Sequence, residues 1–169
     1  MMEELIALAA QQLDRVKAAC SLTGLKYVEL PPTVFGVGVA IGFGQTDYTI
    51  LSILGGGSES QVMATSGILK NIAQERGPAL EVANRFNQNN SSYSVYLHDA
   101  QAGWSLLVQR TTPVKVFLDC PDYLNAIVRA LPMAVQEFRQ TIAQETQLGG
   151  QPWTWTEQDH SDLLVRSML

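Results

Sequence analysis

GPALEVANRFNQNNSSYSVYLHDAQAGWSLLVQR, from Gly77 to Arg110, places a helix, a polar turn and a two-stranded hairpin in consecutive order. Gly77 and Pro78 mark a helix start, because the N–H that proline lacks has no partner to lose in a first turn. Glu81 lies near enough to that end to favour the helix dipole. Leu80, Ala83 and Asn87 share one side of the helix, with Val82 and Phe86 beside them. The side chains of Asn89, Asn90, Ser91 and Ser92 compete with helical hydrogen bonding, so the helix is expected to end there. Tyr93 to Leu97 then reads as a strand, and Trp104 to Arg110 as its antiparallel partner across the Asp99–Gly103 turn.

Upstream, Glu3 to Leu22 has the periodicity of an amphipathic helix, with Leu5, Leu8, Ala9, Leu13, Val16 and Cys20 recurring at threes and fours. Thr23 and Gly24 end it. Lys26 to Leu30 reads as a short strand stopped by Pro31 and Pro32, which cannot donate to a sheet ladder. From Val34 to Gly44 the sequence VFGVGVAIGFG alternates strictly, with Phe35, Val37, Val39, Ile41 and Phe43 on one face and small residues on the other. A face of glycines signals curvature or close approach, and a bent core strand under a helix is preferred to a glycine-lined binding surface. Tyr48 to Leu54 and Gln61 to Ile68 supply two further strands, separated by the Gly55–Gly57 turn.

Downstream, Val114 to Leu118 reads as a short strand or an extended linker. Asp119, Cys120 and Pro121 open a long helix, in which Leu124, Val128, Leu131, Val135, Phe138 and Ile142 repeat at alternating fours and threes. That seam is too short for a coiled coil and is expected to lie on the protein's own sheet. Pro132 is expected to kink the helix near Ala130 and Leu131. The expected organisation is one domain over residues 1–147, followed by a C-terminal extension over 148–169. There Trp153 and Trp155, too apolar to leave bare, are expected to fold back on the body as a lid or strand, in preference to anchoring a partner.

The chain has 169 residues, enough for one domain with a full core. Its net charge is −5 and only 16% of residues are charged. Lysines and arginines never cluster, so neither nucleic acid nor an anionic membrane surface is expected as a partner. No window approaches the roughly 20 apolar residues of a membrane-spanning helix. The N-terminus lacks the basic start and apolar run of a secretion signal, so Cys20 and Cys120 are expected to be buried free thiols in a reducing cytoplasm.

Chemistry has little to work with. The two histidines, His98 and His160, carry no nucleophile motif, and each reads as a solvated residue beside an aspartate. Neither CxxC nor HExxH occurs, so no metal, no cofactor and no catalytic residue is expected. GGGS at Gly55–Ser58 lacks the lysine and following helix of a phosphate cradle, and GVGVAIG lies within a strand.

The central block resembles the YbjN family in a helix that ends in an Asn-rich segment, a strand, a turn with glycine and a second strand. The matching residues are Asn84, Arg85, Phe86 and Asn87, then Val95, Tyr96, Leu97 and Asp99, then Gly103, Trp104, Leu106 and Val108. By order of elements the likeness runs from about Glu3 to Glu145. One departure is the turn HDAQAG, longer than the usual acidic-Gly turn. The resemblance implies an α+β domain with a twisted antiparallel sheet flanked by helices, related in fold to type III secretion chaperones, and it implies a homodimer.

These observations point to a non-enzymatic protein-binding module. Between Leu30 and Ser58 the only charged residue is Asp47, and a surface so poor in charge must be covered. The residues expected to hold an extended partner segment are Phe35, Val37, Val39, Tyr48, Tyr93 and Trp104, with an edge strand adding backbone hydrogen bonds. The alternatives are a permanent structural or regulatory subunit and, third, a small-ligand binder with Arg85, Asn87 and His98 around a cavity.

Overall fold

In a computed structural model the chain forms a six-stranded antiparallel sheet flanked by helices. The residues described are 2–32, 37–42, 46–54, 60–90, 92–100 and 103–154. The element order is α1 (Met2–Leu22), β1 (Val28–Glu29), β2 (Gly38–Ile41), β3 (Thr49–Leu54), β4 (Gln61–Ala73), α2 (Arg76–Asn89), β5 (Ser94–Ala100), β6 (Gly103–Pro113), α3 (Val114–Asp119) and α4 (Pro121–Glu145). Across the sheet the strands run β1-β2-β3-β4-β6-β5. The expected α+β class and element order hold, with one addition.

That addition is α3. Val114–Asp119 is a short helix, neither strand nor linker: Val114 and Phe117, three apart, are its buried pair, and the Val114 N–H donates to the Ser60 carbonyl at 2.9 Å. Six residues are too few for a period to show in sequence. Only Cys120 separates α3 from α4, which leaves its thiol exposed, while Cys20 is buried as expected.

Period-two alternation assigns the two faces of the sheet. Leu106 and Val108 of β6 join α1, α2 and α4 in the main core, whereas Leu107 points the other way into a smaller cluster with Leu30, Ala40, Tyr48, Ile50 and Trp153. The α4 seam, Leu124, Val128, Leu131, Val135, Phe138 and Ile142, is wholly buried against the sheet, and the helix continues through Pro132 to Glu145.

β4 is the spine. Over 13 residues it outruns β3, whose pairing with it runs only from Gln61 to Thr65, while β6 follows it from Gln61 to Ala73. Beyond Thr65 its free edge is satisfied in another way. Arg139 of α4 donates from Nε to the Ile68 carbonyl at 2.7 Å and from one terminal nitrogen to the Gly67 and Thr46 carbonyls at 3.2 Å and 3.1 Å. Its other terminal nitrogen meets Asp47 at 3.5 Å. Further along, Lys70 and Gln151 exchange both backbone hydrogen bonds, at 2.8 Å and 3.0 Å. The extension therefore joins the sheet at Gln151 and buries Trp153 on its far face; Trp155 lies outside the described residues.

Cys20 is fully buried, and desolvation pushes its thiol up to about 11. Its thiolate fraction at pH 8 is therefore negligible, and Ellman's reagent is expected to titrate one thiol in the native protein, Cys120, and both in denaturant. Two fast-reacting thiols in the native state would contradict the burial of Cys20.

Candidate partner-binding edge

Both outer strands of the sheet end at an edge, and they are protected unequally. β1 has two residues, too few to template another strand, while β5 has seven. The β5–β6 hairpin pairs up to Ala100 with Gly103, beyond the expected strand ends at Leu97 and Trp104. His98 is thereby placed within the strand, opposite Ser105. It is not a solvated turn residue: it is buried on the face away from the helices, its ring 5.3 Å from that of Trp153.

Asn87, in the last turn of α2, reaches the outer side of β5. Its carboxamide donates to the Val95 carbonyl at 2.9 Å and accepts from the Val95 N–H at 2.7 Å. A primary amide that exchanges two bonds with one residue reproduces what a neighbouring strand would offer. Because Val95 turns both groups away from β6, alternation puts those of Leu97 on the same outer side, two residues further on. Asn90 then closes the turn, its side-chain oxygen accepting from the N–H groups of Ser92 and Tyr93 at 2.9 Å and 3.3 Å. The amide-rich segment thus does two jobs, ending α2 and occupying one position of the β5 edge.

Tyr96, between Val95 and Leu97, projects from the face opposite the helices and is 49% exposed. Sequence reasoning placed it in the strand but not in the binding surface. The alternation of β5 with buried Val95 held the signal.

The residues singled out from sequence disperse. Val37 and Val39 lie in the main core with α1 and α4, and Tyr48 lies in the far-face cluster beneath Trp153. All three are buried by this chain itself, which removes them from any open surface. Tyr93 is half-buried with the Arg110 guanidinium 5.8 Å from its ring, and Trp104 is half-buried beneath Arg76 at 5.9 Å. Phe35 lies outside the described residues.

Arg85, Asn87 and His98 do not converge on one cavity either. Arg85 pairs with Glu145, Asn87 holds Val95, and His98 stacks near Trp153 on the far face. The Arg85–Glu145 pair adjoins two shallow grooves between α2 and the end of α4. The larger, about 320 Å³, has Phe86, Tyr93 and Phe138 in its walls. Neither groove is lined by a histidine or cysteine that could serve as base or nucleophile. Among the described residues no three His, Cys, Asp or Glu side chains gather to hold a metal, and no helix is long and apolar enough to cross a membrane.

No family model matches the sequence, and no curated protein matches it. Among solved structures the fold is similar to that of YbjN from E. coli, a proposed transcription regulator. The TM-score is 0.53 at 11% identity, over 82% of this chain and 96% of that one. The protein has a YbjN-like fold.

Proposed function

We propose that this chain is a non-enzymatic, cytoplasmic protein-binding module that takes an extended segment of a partner protein along the outer edge of β5. The observation that supports the reading is the Asn87 carboxamide on Val95, a peptide-like group that bonds both the N–H and the carbonyl of an edge residue. A bound segment would pair with Leu97, and the exposed Tyr96 ring would pack against a side chain of the added strand. The occupant is a protein: with net charge −5 and no basic cluster, the chain offers nucleic acid no counterion-releasing face. A regulatory role of the kind proposed for the YbjN neighbour would then be exerted through protein contact. A second copy of the chain, pairing β5 to β5 as a homodimer, would use the same edge.

Tyr96→Lys tests the reading, since an edge lysine disfavours strand addition without touching the core. The variant is expected to keep its melting temperature and lose the partner that co-purifies with the wild type. A lysine at Met133, 70% exposed on α4, is expected to retain that partner. Undiminished capture by Tyr96→Lys would overturn the β5 assignment.

A further inference from the structure

By alternation the backbone groups of Tyr93, Val95 and Leu97 leave the chain on one side, away from β6. The end of α2 closes the first two of these positions. Asn90 Oδ1 accepts from the Tyr93 N–H at 3.3 Å, and the Asn87 carboxamide takes both groups of Val95, at 2.7 Å and 2.9 Å. Leu97 has no corresponding bond among the described residues, so its outer N–H and carbonyl are the first open pair. Ending the helix does not require this of Asn87. Asn90 is the C-cap, whereas Asn87 is still helical and exposed.

We propose that Asn87 is a specificity-determining residue of the β5 edge. It closes Val95 to an incoming strand, so that a partner segment pairs from Leu97 onward and a second copy of this chain is kept from pairing along β5. The inference rests on the reading of β5 as the binding edge and decides between its two occupants. Symmetry makes the difference, because a two-fold antiparallel pair uses every blocked position twice. Centred on Leu97, such a pair sets Val95 of each copy against Asp99 of the other; centred on Tyr96, it sets Val95 against Leu97. Both need the Val95 groups that Asn87 holds. Centred on His98, Leu97 meets Asp99 and the ladder ends there, at the tip of the hairpin. A segment of another protein meets the block once: it pairs at Leu97 and ends or bends away before Val95.

Asn87→Ala tests this without a partner, and at an exposed position it leaves the core intact. Light scattering and sedimentation over a concentration series should show the variant self-associating at least about tenfold more tightly than wild type, as the freed Val95 groups extend the ladder. In that dimer the Val95 amide is expected to be protected from exchange, and Asn87→Ala with Tyr96→Lys is expected to lose the gain. Should Asn87→Ala fold poorly, Asn87→Ser, whose side chain is too short to span both groups, serves in its place with the same expected gain. Unchanged self-association would overturn the role of Asn87. So would a gain that Tyr96→Lys leaves in place, because the new contact would then lie away from β5. Failure of the edge itself is read separately: partner capture by the otherwise wild-type chain that survives Tyr96→Lys removes β5 as the binding edge, whatever Asn87→Ala does.

Discussion

Replacing Arg139 by methionine is expected to destabilise the fold by about 3 kcal/mol. The side chain is 16% exposed, and its planar fork serves the Gly67, Ile68 and Thr46 carbonyls at once. Methionine fills the volume of the stem and supplies no donors. Each orphaned bond is worth on the order of 1 kcal/mol, more where the donor is charged. Two of the three carbonyls belong to the free edge of β4, so the loss falls where the sheet has no other partner. A urea titration is expected to show the midpoint falling by roughly 1–2 M with an unchanged slope. Lysine should recover less than half of the loss, since a single ammonium cannot reproduce the fork. Asp47→Ala should cost under about 1 kcal/mol, because that carboxylate is 45% exposed and its bond is long. Equal losses for Asp47→Ala and Arg139→Met would mean that the ion pair, not the carbonyl clamp, carries the stability.

Gly67→Ala is the second large effect, and it acts by overpacking. The added methyl would stand 2.7 Å from Trp153 Cε3, well inside contact distance, and would collide with the Tyr48 hydroxyl. Either the indole leaves its place or β4 shifts, and both cost about 1–3 kcal/mol. The two responses separate by fluorescence. With Trp104 and Trp155 replaced by phenylalanine, expulsion of the remaining indole is expected to red-shift the emission towards that of exposed tryptophan. An unshifted spectrum with lowered stability would mean that the strand gives way instead of the extension.

Long periodic elements were legible in the sequence because their energetics are those of one amphipathic face. The α4 seam was read in its true position, since every seam residue from Leu124 to Ile142 is buried as a core helix requires, whereas the span of α1 was read correctly but Leu5 and Leu8 of its expected apolar face are exposed. The β5–β6 hairpin was also legible, though its strands run further than the turn residues suggested. Burial was legible in part: the preferred reading of a bent core strand under a helix fits Val37 and Val39, which the expected partner surface had also claimed. α3 escaped because six residues cannot display a period. The features that define the sites are tertiary. Asn87 is one more residue on a helix side until β5 is laid beside it, and nothing in the sequence marks Arg139 until the end of β3 leaves β4 without a neighbour. That Trp153 would fold back was predictable from its apolar area; that Gly67 would be its floor was not.

Amide hydrogen exchange on the β5 segment, measured on the chain alone and on the complex it purifies with, tests strand addition most directly. Strand addition at β5 predicts that the Leu97 amide exchanges more slowly in the complex, with little change in the α2–α4 groove around Phe86 and Phe138. Protection confined to that groove, with Leu97 exchanging as in the free chain, would contradict it.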